Sequence, residues 1–388
     1  MPKPTSQADK KHALLRAQAC CRQENPIQTI KDQLSDQPLA FIALFVSPTA
    51  EFATVVAEAE FHFPDIDVVA CTTAGEIGTR GYEDDLIVAV GFPSGHFISK
   101  SILIENLTDH DFQPTVDRVA IDRVALKEAN GDKREGFAFL LVDGLSLNED
   151  TLTAALAPAL RDMPLFGGSA GDGTTFGETM VALNGKVCKD AAILTLIRTD
   201  HQTHVFSIDH LTPTENQMVV TEADPARRVV RSINAEPAAQ EYARLVGKNP
   251  DELDQFTFAS HPVVVRIGGT HHVRAIQQVN EEGELVFFAA IDEGMVLTVA
   301  KPQEIAAHLK EQLDEFSEAG DLTDILGCDC ILRRIEAEQV QITHRLSEIL
   351  ADHKVVGFST YGEQIGPLHV NHTMTGVAIY ARNDAEEV

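Results

Sequence analysis

The sequence predicts an α/β protein built by repetition of a strand–helix–strand unit, with mixed sheets. Three observations carry this. The stretches Val69–Glu76, Leu165–Asp172 and Val356–Glu363 share one plan, an apolar run that reaches a Ser or Thr, one residue, a Gly and a carboxylate. A preceding apolar run ends 29 residues before that glycine in each copy, at Val46, Val142 and Arg333. Between the two halves lies apolar spacing of helical period, as in Phe52, Val55, Val56 and Ala59. That length suits a crossover between parallel strands, and strand exits in such sheets are where ligands bind.

In chain order, residues 1–35 read as a frayed or helical segment, with Asn25-Pro26 opening a short helix. Ser47-Pro48 starts the first crossover helix. Asp85–Gly91 and Phe97–Ile104 are strands, and 113–130 a helix. Leu152, Ala155, Leu156, Ala159 and Leu160 mark the second crossover helix. Thr179–Leu183 and Ala191–Ile197 are expected as strands around the Asn184-Gly185 turn. Asp224-Pro225 is expected to cap a helix carrying Val229, Val230 and Ile233, and a further helix runs from Glu236-Pro237 to Gly247. Pro262–Ile267, His272–Val279 and Glu284–Ile291 form an antiparallel insertion, Pro302–Leu313 a helix, and Ile342, Leu346, Ile349 and Leu350 the third crossover helix. Two domains follow, 36–220 and 221–388, the first holding two units and the second one unit plus the insertion.

Composition bounds the function. The chain has 388 residues, 44% hydrophobic and 23% charged, as in soluble globular proteins. A net charge of −28 argues against nucleic acid and against anionic membrane as partners. No apolar run is long enough to span a bilayer, and Met1–Lys11 lacks the apolar core of a secretory signal. Six cysteines, none in C-x₂-C spacing, read as free thiols of a cytoplasmic protein. The chain leaves homo-oligomerisation open.

Gly167-Gly168-Ser169-Ala170-Gly171 matches the G-x-S-x-G nucleophile elbow. Yet Asp172-Gly173-Thr174-Thr175 follows it where a helix should start, and Ser169 aligns with Thr73 and Thr360, so a turn-stabilising hydroxyl is the simpler reading. Among 15 histidines, His261, His369 and His372 stand out beside strands. His369 and His372, three apart, should face opposite ways on a strand, and a lone axial haem ligand needs only one of them. No regularly spaced His/carboxylate set suggests a metal enzyme. Arg266, Arg274, Arg333 and Arg334 are expected to face a pocket or to pair with Glu76, Asp172 or Glu363.

Val142-Asp143-Gly144, Leu165–Asp172, Ser260-His261-Pro262, Ala290–Gly294, Cys328–Arg334 and Gly357–Gln364 together resemble the FIST family of bacterial sensory proteins, with an N-terminal and a C-terminal FIST domain, over about 38–380. The resemblance implies a cytoplasmic non-enzymatic sensory module acting on a separate signalling partner. Within the family the chain is similar to the NosP group of nitric oxide-sensing haem proteins. That similarity implies haem as cofactor, His261 or His369 as metal ligand with His372 third, and a sensor histidine kinase or cyclic-di-GMP synthase or phosphodiesterase as partner. Arg266, Arg333, Tyr361 and Glu363 complete the candidate binding set. A haem-free alternative is an amino-acid-like ligand, with Arg266 or Arg333 on its carboxylate and Glu363 on its amine.

Overall fold

A computed structural model describes residues 12–34, 37–129, 131–267 and 269–382. The expected frayed segment lies outside these up to residue 11. Residues 15–20 instead form a strand, β1 (Leu15–Cys20), followed by α1 (Pro26–Gln33). Alternation in Leu-Arg-Ala-Gln-Ala-Cys places Ala17 and Ala19 inward, the signal that identifies it.

The rest of the first unit is β2 (Leu39–Val46), α2 (Phe52–His62), β3 (Asp67–Thr72), the hairpin β4 (Glu76–Gly78) and β5 (Gly81–Glu83), and β6 (Leu86–Pro93). The second repeats it: β7 (Phe97–Glu105), α3 (Phe112–Ala129), β8 (Glu135–Val142), α4 (Glu149–Leu160), β9 (Leu165–Ser169), the hairpin β10 (Val181–Leu183) and β11 (Lys186–Cys188), and β12 (Ala191–Thr199). The third begins with β13 (Thr203–Ile208) and is interrupted by β14 (Leu211–Asp224), β15 (Val229–Ile233), β16 (Glu236–Pro237), α5 (Ala238–Val246), α6 (Gln255–Ser260), β17 (Val263–Ile267), β18 (Thr270–Arg274), β19 (Ile276–Val279), β20 (Leu285–Phe287) and β21 (Val296–Pro302). It then resumes with α7 (Ile305–Ala319), β22 (Leu322–Cys330), α8 (Ile331–Gln339), α9 (Thr343–Asp352), β23 (Val355–Thr360), the hairpin β24 (Glu363–Ile365) and β25 (Leu368–Val370), and β26 (Met374–Tyr380).

In every unit the two crossover strands pair in parallel, and the closing strand returns antiparallel beside the first: β6 on β2, β12 on β8, β26 on β22. The hairpins do not stay at home. β4 pairs with β23, β24 with β9, and β10 with β3. Unit one therefore lends its hairpin to unit three, three to two, and two to one, closing a quasi-threefold ring of three six-stranded sheets. The exchange crosses residue 220 in both directions. The insertion forms a separate antiparallel sheet.

Two local expectations are corrected. Val229, Val230 and Ile233 lie on β15, because the Asp224 side chain caps only a 3₁₀ turn at Arg227 N–H before the β-branched run extends. Arg333 does not end a strand: β22 stops at Cys330, and Arg333 sits in α8, an extra helix the shared offset concealed.

The inner faces of the three sheets meet in one core. Phe45 stacks on Phe358 with centroids 4.5 Å apart and meets Phe139 edge-on at 6.4 Å, so each unit contributes one ring. Phe358→Ala is expected to destabilise the chain by about 3–5 kcal/mol. Circular dichroism and tyrosine fluorescence in urea should still give one shared transition; two separate transitions would mean that the units unfold independently.

Candidate ligand site at the strand exits

The three Ser/Thr-x-Gly turns meet at the exits of β3, β9 and β23 and bond to one another through their backbones. Ala74 N–H donates to Ser359 O (2.9 Å) and Ser359 N–H to Gly75 O (2.7 Å); Ser169 N–H donates to Gly362 O (2.8 Å); Gly171 N–H donates to Thr72 O (3.1 Å). Two glycines are required here. Gly75 has φ 131° and the Arg334 guanidinium lies where its Cβ would be. A Cβ on Gly171 would sit 2.8 Å from Ala74 N.

The turn hydroxyls serve the turns. Thr73 Oγ1 bonds Glu76 (2.5 Å), and Thr360 Oγ1 bonds Glu363 in the same way. Ser169 is fully buried and accepts from Gln364 Nε2 (2.9 Å), an amide that cannot act as a base. The elbow match carries no nucleophile–base pair. Asp172 receives Phe176, Gly177 and Glu178 N–H (2.7–2.8 Å) and the Tyr361 hydroxyl, shaping the loop after β9. Burial pushes the Glu363 carboxyl well above the ordinary carboxylate range, which disfavours the charge that pairing with an amine needs.

The arginine expectations are also corrected. Arg266 is exposed. Arg333 is fully buried and donates Nε to Asp329 (2.7 Å) and Nη1 to His210 Nδ1 (2.9 Å). Arg334 pairs with Asp84 (2.7 Å). Arg274, on the insertion, donates Nη1 to His369 O (2.8 Å), and Arg228 bridges to Glu149 (2.5 Å) at the start of α4. These two arginines seat the insertion on the body, beside a packed apolar cluster that includes Ala74, Tyr361, Phe176, Ala275, Phe288 and Leu332.

His369 and His372 both come to this region. His369 Nδ1 faces Gln364 Nε2 (3.3 Å), a donor, which places the ring proton on Nε2. Burial holds its pKa below the ordinary value, keeping the ring neutral. His372, in a left-handed turn (φ 52°), donates Nε2 to Glu336 (2.9 Å), as does His210 (2.9 Å). Burial opposes the ionised Glu336, but hydrogen bonds from His210 and His372 pull it down to about 2, while burial and Arg333 lower His210 to about 4. Because Arg333 can only donate, His210 Nδ1 is the acceptor and Nε2 carries the proton. This His–Glu–His cluster is a hydrogen-bond chain and not a metal site.

His261 lies apart, at the C-terminal end of α6, with Nδ1 against Thr257 O (3.2 Å) and Ser260 Oγ (3.1 Å). Haem does not fit His369 or His372: both are fully buried, and in each the ring proton sits on Nε2, which leaves no lone pair there for iron. Of the three, His261 has Nδ1 against the Thr257 carbonyl, which leaves an Nε2 lone pair for a metal.

Sequence reasoning named Arg274 but missed the roles of Arg228, Gln364 and Asn371. Asn371 Oδ1 accepts from Ala275 N–H (3.4 Å), which turns its Nδ2 toward Gly362, beside His369 Nε2. That Nδ2, His369 Nε2, Arg228 Nε, Arg274 Nε, Arg333 Nη2 and Arg334 Nη1 are buried donors without a protein partner. Among the described residues, thirteen buried side-chain polar atoms lack a partner, and these six belong to the strand exits and the parts packed on them. Each such group costs about 1–3 kcal/mol; Gln364 Oε1 and His372 Nδ1, acceptors of the third turn, are unpartnered as well.

A body of parallel crossover units with a capped polar site at the strand exits defines a ligand-binding sensory module. The chain belongs to the FIST family: residues 40–236 match the FIST N domain and 238–366 the FIST C domain. FIST domains bind small ligands and work in signal transduction. It is also similar to an uncharacterized protein of Methanocaldococcus jannaschii, 24% identical over 358 residues, covering 81% of this chain and 68% of the relative. No helix among the described residues is long and apolar enough to cross a membrane.

Glu76, fully buried at the same turn position as Glu363, is pushed up from 4.5 to about 7 by desolvation. The folded chain keeps this proton while the unfolded chain loses it, so stability falls as pH rises from about 4.5 to 7. Glu76→Gln should remove a loss of ~3 kcal/mol, seen as a gain in urea stability over wild type at pH 8 that vanishes at pH 4.

Proposed function

We propose that the chain is a non-enzymatic sensor whose ligand is a small carboxylate-bearing molecule of the amino-acid type, held between the strand exits and the insertion. The observation that carries this reading is the set of unpartnered buried donors led by Arg274 Nε, Asn371 Nδ2 and His369 Nε2. A carboxylate satisfies several donors at once, and an arginine edge suits it. The apolar cluster beside them, with Phe176 and Tyr361 centroids 4.5 Å apart, would pack against an apolar side chain of the ligand. Glu149 and Asp150, next to Arg228, supply the negative charge for an amine. Signalling follows if the ligand-bound chain presents the insertion differently, because the same arginines that face the ligand also seat the insertion. The partner would be a separate signalling protein, such as a histidine kinase or a cyclic-di-GMP enzyme, in the cytoplasm.

A second reading rests on His261. Its Nδ1 is held by Thr257 O and Ser260 Oγ, leaving Nε2 as the nitrogen that would hold haem iron, which in turn would bind nitric oxide.

A thermal-shift screen of the twenty L-amino acids and simple carboxylates separates the two. We expect at least one to raise Tm, with affinity reduced about tenfold or more by Asn371→Asp. That change keeps the acceptor for Ala275 N–H and replaces the free donor with oxygen. If no carboxylate stabilises the protein, while haemin co-elutes with a sharp Soret band that His261→Ala abolishes, the haem reading replaces this one.

A further inference from the structure

The pole opposite the strand exits is where the chain passes from one unit to the next. The turn between β6 and β7, the turn between β12 and β13 and the end of β26 converge there. Asp200 N–H donates to His96 O (3.4 Å) and Tyr380 N–H to Gln202 O (3.0 Å). His96, Asp200 and His201 are brought together by these turns, each with a ligating atom within 4.8 Å of the others.

We propose that His96, Asp200 and His201 form a binding site for a divalent transition-metal ion of the zinc type, which staples the two turns that join the units. The orientation of His201 is the first support. Its Nδ1 donates to Tyr380 O (2.8 Å), so that nitrogen bears the proton and Nε2 bears the lone pair. Nε2 is buried and has no partner in the protein. A ligating histidine is held in this manner, its second nitrogen donating to a carbonyl. Stacking on Phe97, with centroids 5.6 Å apart and planes 14° apart, fixes the ring.

The second support is the His96–Asp200 pair. His96 Nδ1 lies 3.2 Å from both carboxylate oxygens, a separation that adjacent ligands of one ion also adopt, and an ion would displace the proton between them. Arg382 Nε lies 3.4 Å from Asp200 Oδ2. His96 is half-buried, so the site is open to solvent. The donor set, two imidazoles and one carboxylate, matches three-ligand zinc sites with a fourth position for water. The buried His210–Glu336–His372 cluster has a similar make-up but the opposite support, since Arg333 forces His210 Nε2 to carry a proton.

Calorimetric titration of the chelator-treated full chain with Zn²⁺ tests this. We expect one equivalent to bind and Tm to rise with zinc concentration. His201→Ala and His96→Ala should each weaken binding by about a hundredfold or more, beyond the effect of losing an outer partner, while His372→Ala leaves it unchanged. Binding that survives both His96→Ala and His201→Ala, absence of a saturable equivalent, or loss of binding in His372→Ala instead would overturn the assignment.

Discussion

The structure depends on the exchange of hairpins at the strand exits. Each crossover sheet is completed by a hairpin from another unit, and the backbone bonds of Ala74, Ser359, Ser169, Gly362, Gly171 and Thr72 close the ring. No unit can satisfy its own edge strand, and an unpaired edge exposes a row of backbone donors and acceptors. The phenylalanines behind those exits then pack as one core drawn from all three units. Glycine is dictated at two of the turns because a partner's backbone or guanidinium stands where a side chain would go.

This closure also explains the polarity of the site. Three strand ends meeting at one axis bring buried polar groups together, and the protein satisfies many of them internally: Thr73 and Thr360 with glutamates, Ser169 with Gln364, Arg333 with Asp329 and His210. Of the donors left over, those of Arg274, His369 and Asn371 lie where the insertion comes down on the third unit. Arg274 holds His369 O with one nitrogen and turns another inward, so that ligand recognition and seating of the insertion share a side chain. A coupling of this kind is what a sensory module needs, since a ligand shifts a conformational balance only through contacts that differ between the two states.

The repeat was legible in the sequence because strand–helix–strand leaves a clear pattern of apolar periods and turn residues. It misled at one place: Cys330-Ile331-Leu332-Arg333 reads as a continued apolar strand, whereas the chain turns into α8 after Cys330. The Asp224-Pro225 signal was real but capped a single turn. The hairpin exchange left no mark in the sequence, since β4 and β23 are paired across some 280 residues. His369 and His372 could be singled out by type and place. Asn371 could not, and Arg274 could be named only as a cation on a strand, because their contacts join segments almost a hundred residues apart. The expected role of Arg266 failed for the opposite reason: a cation on a strand need not face inward when the strand end is exposed.

The most direct measurement is a high-resolution crystal structure of the chain with the best-stabilising carboxylate bound. The account predicts carboxylate oxygens within hydrogen-bond distance of Asn371 Nδ2 and Arg274 Nε, beneath Phe176 and Phe288. Density for the ligand elsewhere, with those donors paired to protein atoms alone, would contradict it.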